Sequence, residues 1–322
     1  MSRCAAGLAA ATRVPLVSVI TPVFNGAGWL AEALDSALAQ TFPSLEIIVV
    51  NDGSTDDSLA IARTRARHNS QIRIIDQANA GLPAARNRAL RAARGAYLAL
   101  LDADDAWLPN HLELAMKAFE RDPDLGLVHA NIQRVDANGA LVDIPTRHWT
   151  RDMDAFEALA LRHEHVSCPT AVFTRLALDA VGGFDLRFTG LGCEDRDLWL
   201  RIAARFRIGY LDEVTARYRL HPGSMSAAGE RMALARQLLV AKLAESARGA
   251  LLVAQMEAMI DSDHGLTLCE QGRYGQAIAR QWLALRQCPT DRLIQRRFIR
   301  SLLAPCRWLV PDDAFGPFRG RG

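Results

Sequence analysis

Tyr97-Leu98-Ala99-Leu100-Leu101-Asp102-Ala103-Asp104-Asp105 decides the fold. Apolar residues in an unbroken short run, with no helical spacing, form a strand buried on both faces. Three carboxylates follow at its carboxyl end, separated by one alanine. A strand covered on both faces belongs to a parallel sheet, and ligands of such sheets gather at the carboxyl edge. Carboxylates crowded together repel one another unless a cation joins them. Hard divalent ions, Mg2+ or Mn2+, take oxygen ligands and commonly bridge a carboxylate to a diphosphate. An acidic loop capping the next helix would account for Asp105, but hardly for all three.

The same alternation extends upstream. Short apolar strands are expected at 17–21, 45–50 and 72–75. The first ends at Thr21-Pro22 and the second at Asn51-Asp52-Gly53. Helices are expected at 28–39, from Ser54 or Thr55 to Arg67, and at 82–94 before Gly95. Strand, helix, strand, helix predicts an α/β fold with a mainly parallel central sheet and helices on both faces. Downstream the pattern mixes: a helix at 108–121, strands at 125–135, 142–144, 168–174 and 208–219, and a helix at 197–205. From about Gly229 only helical patterns remain, at 233–246, 250–260, 265–270, 274–287 and 292–303, which predicts a C-terminal all-helical extension. The chain thus reads as a flexible N-terminus (1–15), a mixed α/β domain (16–226) and a C-terminal helical region (227–322). Gly272, Arg273, Tyr274, Ala277, Leu285 and Pro289 faintly resemble a tetratricopeptide unit; one unit is not an array, and a helical cap is the expectation.

Composition sets the outer bounds. With 322 residues, half of them hydrophobic, the chain can bury a sizeable core. A net charge of +2 gives no ground for nucleic-acid binding. No apolar run approaches the roughly 18 residues that span a membrane. The six cysteines show no C-x-x-C pair, which argues against zinc and thioredoxin chemistry and fits a reducing cytoplasm. Arg292, Arg296, Arg297 and Arg300 recur at helical spacing with Ile294, Phe298 and Leu302 between them. Such a helix either carries a solvated charged face or rests peripherally on anionic lipid, here the inner membrane face.

Two further motifs bear on chemistry. Gly26-Ala27-Gly28-Trp29-Leu30-Ala31 matches the glycine fingerprint of dinucleotide-binding folds, but five residues, Thr21 to Asn25, intervene where that fingerprint wants a tight turn. Glu194-Asp195 opens a segment with Leu198, Trp199 and Ile202 facing a core. It reads either as an acidic helix start favoured by the macrodipole or as a poised general base.

Taken together, seven segments in order make the chain resemble glycosyltransferase family 2: 19–25, 50–56, 79–87, 101–105, Gly182-Gly183-Phe184-Asp185, 194–199 and 218–226. The resemblance covers roughly 16–226 and implies a GT-A-like nucleotide-sugar transferase fold, a nucleotide-sugar donor (UDP expected) and inversion at the transferred sugar. It also implies a glycan, lipid-linked saccharide or protein as acceptor, as in cell-envelope polysaccharide biosynthesis. By similarity Pro22, Phe24 and Asn25 frame the base, and Asp52 accepts from the base imide N–H. Arg86 pairs with the diphosphate or orients the first carboxylate. Asp102 and Ala103 lie along the ribose and metal side, Asp104 and His221 hold Mg2+ or Mn2+, and Asp195 is the base, with Glu194 the alternative. Pro83 stands where the family often has Ser, and Arg196 where an aromatic is common, which would favour an acidic acceptor. Two competing readings are a non-catalytic nucleotide-sugar-binding protein and a dinucleotide-dependent oxidoreductase.

Overall fold

The computed structural model of the chain describes residues 16–145, 154–161, 165–223 and 229–305. The expected flexible N-terminus and the Ser224-Met225-Ser226 end of the last motif lie outside the described residues. The chain divides into two compact units, the cut falling between Ala235 and Arg236.

In the first unit, β1 (Val17–Val23), β2 (Leu45–Asp52), β3 (Ile72–Gln77) and β4 (Tyr97–Leu100) form a parallel block in the order β3-β2-β1-β4. β5 (Ala106–Trp107), β6 (Leu125–Val135), β7 (Leu141–Asp143), β8 (Val172–Thr174) and β9 (Arg207–Arg219) extend the same sheet beyond β4 as β8-β6-β9-β5, with β7 on β6. That half is mixed: β8 is antiparallel to β4 and β6, whereas β6 and β9 are parallel. Period two along the strands sends successive side chains to opposite faces. Val17, Val19, Ile47, Val49 and Ala99 face one core with α1 (Leu30–Leu38), α2 (Ser58–His68) and, later in the chain, Leu112, Ala115, Met116 and Phe119. The intervening residues Ile20, Ile48, Leu98 and Leu100 are equally buried, and α3 (Leu82–Ala92) packs on β1 and β2. Helices therefore cover both faces, as the alternation required.

Several boundaries differ from the sequence expectation. α2 starts at Ser58 rather than at Ser54 or Thr55, because Asp56 Oδ1 accepts from the Ser58 N–H at 3.0 Å. α4 (His111–Arg121) starts after Asn110. Beyond α5 (Ala155–Ala160), the strand expected at 168–174 is shorter: Cys168–Thr170 is a 3-10 turn with Pro169 near its start, and pairing begins only at Val172. After α6 (Arg175–Val181), α7 (Glu194–Ala203) begins three residues earlier than expected. That shift places Glu194 and Asp195 inside the first helical turn.

The second unit holds helices: α8 (Gly229–Ala244) enters it, followed by α9 (Ala247–Ala250), α10 (Val253–Glu270), α11 (Tyr274–Gln287) and α12 (Arg292–Leu303). The sequence suggested a break before Gly265, but α10 runs through it. A Cβ at Gly265 would stand 2.8 Å from Gln281 Cγ, so glycine here permits close approach of α10 and α11. Gln281 and Ser262 lock that approach with two buried hydrogen bonds of 3.0 and 2.8 Å. No described helix is long and apolar enough to cross a membrane.

Candidate active site

The carboxyl ends of β1, β2 and β4 and the start of α7 supply the candidate residues. Between β1 and α1 the glycine segment is held by the chain itself. The Asn25 N–H donates to Ser54 Oγ, that of Gly26 to Ser58 Oγ and that of Ala27 to Asp56 Oδ2, at 2.9–3.0 Å. These are the amides a dinucleotide fold would turn toward a pyrophosphate. Their engagement removes the physical basis of the dinucleotide reading. Asn25 sits at φ 53°, its side chain accepting from the Thr55 N–H at 2.8 Å, and Phe24 is left exposed beside Pro22.

Asp52 is buried at the end of β2. Its Oδ1 accepts from Gln77 Nε2 and the Ala80 N–H, and its Oδ2 from the Gly81 N–H, all at 2.8–2.9 Å. The carboxylate therefore fixes the approach to α3, and a base N–H would use remaining acceptor capacity on Oδ2.

Arg86, on α3, is 1 % exposed, which rules out a solvated helix charge. Its Nη2 donates to both Asp102 oxygens at 2.7 and 2.9 Å, and its Nη1 to Glu194 Oε1 at 2.7 Å. Nη2 also lies 3.2 Å from Cys168 Sγ, and the guanidinium carbon is 5.3 Å from the Phe184 ring centroid. Of the two roles the resemblance implied, the observed contact is with the first carboxylate. One buried cation thus ties the end of β4 to the start of α7. Asn87, next along α3, clasps Phe184 with reciprocal 2.8 Å bonds to its backbone.

The acids of α7 separate by partner. Glu194 pairs with Arg86, and Asp197 with Arg201 at 2.8 Å. Asp195 accepts only the Arg196 N–H, at 2.7 Å, and has no ion-pair partner among the described residues. Burial pushes the Asp195 carboxyl up, against the pull of Arg86. Burial likewise raises Glu194, to about 7, although Arg86 opposes it and Asp195 adds to it. Glu194 Oε2 is buried with no hydrogen-bond partner. The helix is entered through positive φ at Gly190, Gly192 and Cys193, the last a non-glycine at φ 63°. Arg196 donates to the Leu159 carbonyl, so the guanidinium proposed to attract an acidic acceptor is engaged within the chain.

The acidic segment divides similarly. Asp105 is buried and accepts the Arg219 N–H at 2.9 Å, which makes it structural; burial, then Asp104 and Asp102, hold its carboxyl high. Arg219 was not foreseen from the sequence as a site residue. Its buried guanidinium donates to the Asp104 carbonyl at 2.9 Å, to the Asp136 and Ala137 carbonyls at 3.2 Å, and to Glu32 at 2.5 Å. Asp104 Oδ2 lies 2.9 Å from His221 Nε2, and Trp29, also unforeseen, stacks on His221 with centroids 4.4 Å apart. Burial and the neighbouring Asp102 charge raise the Asp104 carboxyl, while His221 lowers it.

The donor types of this pair, a carboxylate oxygen and an imidazole nitrogen 2.9 Å apart, are ones that would suit a divalent ion. Among the described residues no group of three or more His, Cys, Asp or Glu side chains is arranged to hold a metal, so the remaining positions would fall to water and ligand oxygens.

An acidic strand end, a buried arginine clamp and an aspartate without an ion-pair partner among the described residues thus gather on a mainly parallel sheet covered by helices, the α/β class expected from the sequence. The family model for glycosyl transferase family 2 matches residues 18–179, half the chain, and the chain belongs to that family. Hyaluronan synthase of Pasteurella multocida is 30 % identical over 214 residues, covering 66 % of this chain and 21 % of that protein. Chondroitin synthase of Escherichia coli is 38 % identical over 130 residues, covering 40 % and 19 %. The chain thus spans about a fifth of the length of these relatives. Among solved structures, S. aureus TarS 1–349 in complex with UDP-GlcNAc aligns with TM-score 0.61 and 20 % identity over 90 % of this chain and 85 % of that one. The mannosyltransferase PcManGT from Pyrobaculum calidifontis, in complex with GDP-Man and Mn2+, aligns with TM-score 0.60 and 21 % identity over 92 % and 87 %. At these identities the structures attest the GT-A fold.

Proposed function

We propose that the chain transfers a sugar from a nucleotide-diphosphate donor, a UDP-sugar, to an acceptor hydroxyl with inversion and with the help of a divalent metal. The observation that carries the reading is Asp195: a half-buried carboxylate without an ion-pair partner among the described residues, in a helix turn whose other acids are paired. A carboxyl raised by burial is a stronger base once ionised. Asp195 takes the acceptor proton as the acceptor oxygen bonds to the anomeric carbon. The bond from that carbon to the diphosphate oxygen breaks on the opposite face, which inverts the centre. Asp104 and His221 would hold Mg2+ or Mn2+, whose charge offsets that developing on the diphosphate. Pro22, Phe24 and Asn25 line the base side, with Asp52 accepting from the base N–H. Asp102 and Ala103 lie along the ribose, and Arg86 keeps Asp102 in place. Glu194 acts as positioning residue through Arg86, since its Oε1 is committed to that ion pair.

Acceptors in keeping with the family resemblance are a growing glycan, a lipid-linked saccharide or a protein. The two relatives described are named as synthases of glycans, and each is several times longer than this chain. Calorimetry across UDP-, dTDP- and GDP-sugars, with and without Mn2+, tests the donor. A metal-dependent preference for a uridine diphosphate sugar is expected; metal-independent binding, or none, overturns it. Asp195→Asn should bind the donor and fail to transfer. Full transfer by that variant would remove Asp195 as base.

A further inference from the structure

The second unit carries a surface to which the proposed function assigns no part. Two sets stand out among the arginines of α11 and α12. Arg280 pairs with Asp261 at 2.8 Å, and Arg297 with Asp263 at 3.0 Å, both toward α10. Arg286, Arg292, Arg296 and Arg300 have no carboxylate partner among the described residues. Over 271–305 the sequence holds seven arginines and one acid, Asp291, an excess of six positive charges.

The unpaired arginines share their surface with apolar side chains. Along α12, Arg292, Gln295, Arg296, Ile299, Leu302 and Leu303 are all exposed. Their spacing of three, four and seven residues places them on one helical face. Ile299 is 54 % exposed, and Trp282 of α11 is 52 % exposed. The Trp282 ring lies 5.8 Å from that of Phe298, which joins the two helices into one patch. A groove at the α11–α12 turn, lined by Trp282, Leu285, Arg286, Pro289 and Gln295, continues it. Its volume is about 360 Å³.

We propose that this face is a peripheral docking site for an anionic lipid surface. The charge complementarity is specific: guanidinium groups with no internal counter-ion attract lipid phosphates. The apolar half decides between polyanions. Ile299, Leu302 and Leu303 have no role against a soluble polyanion, whose contacts are polar or stacked. They match the acyl boundary of a bilayer, with Trp282 at headgroup depth. The helix lies in the interface and does not cross it, in keeping with the absence of a spanning helix among the described residues.

The test is co-sedimentation of the full chain with phosphatidylcholine vesicles containing none or 30 % phosphatidylglycerol, in 0.1 M salt. The protein should partition onto anionic vesicles at least tenfold more than onto neutral ones, and the partition should fall with added salt. Each arginine near the surface contributes about a fivefold factor, so R286Q/R292Q/R296Q should bind about a hundredfold more weakly. Ile299→Asp with Leu302→Asp should also release the protein while leaving its circular dichroism and donor binding unchanged. The proposal is overturned by equal partition onto both vesicles, by undiminished binding of the triple variant, or by binding to soluble heparin with none to vesicles.

Discussion

Replacing Arg86 by alanine removes one side chain and strands two acids. In the wild type the guanidinium holds Asp102 through two hydrogen bonds and Glu194 through one, with side-chain exposures of 2 % for Arg86 and 5 % for Glu194. Removing one member of a buried ion pair typically costs about 3–5 kcal/mol, because the other charge stays buried without compensation. A domain of this size shifts its melting temperature by about 2–4 °C per kcal/mol, so Arg86→Ala should melt on the order of 10 °C lower at pH 8. The loss should shrink on acidification. Arg86 holds the raised Glu194 carboxyl down, so its removal raises that group further from about 7. A carboxyl whose folded value exceeds its unfolded one of 4.5 binds its proton more tightly when folded, which favours the fold as pH drops through the folded value. Near pH 6 the stranded Glu194 is therefore neutral and part of the penalty is gone. Arg86→Lys, with one ammonium in place of the fork, should fall between. Thermal melts of the three proteins at pH 6 and pH 8 decide the matter. A loss under 1 kcal/mol at pH 8, or a larger loss at pH 6, would refute the view of Arg86 as a buried clamp.

Asp195→Asn should melt no lower than the wild type while losing transfer, since it removes a charge that burial disfavours; a melting loss beyond 3 °C would make Asp195 structural. The acid limb of the rate–pH profile should lie above the 3.8 of an ordinary aspartate, because burial raises the base and the base must be ionised to act; a limb at or below 3.8 would contradict this. Glu46 is buried, which alone would raise its carboxyl, yet bonds from Arg73, the Arg94 N–H and Ser18 hold it below 4.5. Its contribution to stability is thus present above pH 4.5 and lost as pH falls through the lower folded value, and Glu46→Gln should flatten that part of the acid stability curve. Gly183→Ala would set a Cβ 2.4 Å from Asn87 Oδ1, which cannot yield without releasing Phe184; denaturant titration should show a loss of about 1–3 kcal/mol.

What could be read from the sequence was what neighbours in sequence determine. The run Tyr97–Leu101 announces a buried strand because every residue must be apolar, and Asp102 and Asp104 follow it directly. That the first four strands run parallel came from alternation alone; their order did not. The start of α7 was misplaced because Cys193 adopts a left-handed conformation that sequence reading reserves for glycine. The destination of Arg86 was open because Glu194 is 108 residues away, and no local pattern shows which buried acid an arginine will meet. Arg219 escaped notice for the same reason: its partners are mostly backbone carbonyls, which leave no mark in a sequence. Gly265 misled in the opposite direction. It reads as a helix break, yet only a missing Cβ lets Gln281 approach.

The acidic residues of the site differ in what they are free to do. Asp52 is committed to the 77–81 loop, Asp102 and Glu194 to Arg86, and Asp105 to the Arg219 N–H. Each such bond fixes an element that carries or leads to another site residue: α3 with Arg86, α7 with Asp195, and the end of β9, two residues before His221. Among the described residues two of these carboxylates remain without an arginine or lysine partner. Asp104 meets a histidine that would share its metal, and Asp195 meets a backbone amide. Burial raises both above the ordinary aspartate range, so both stand in environments that penalise their charge until a cation or a proton arrives. Burial raises Asp105 and Glu194 as well, so the distinction lies in the partners: those two are held by the Arg219 N–H and by Arg86, whereas Asp104 and Asp195 are held by neither. The acidic strand end that decides the fold therefore holds one of the two acids on which the proposed transfer rests. The clamp through Arg86 carries its alignment to the helix that holds the other.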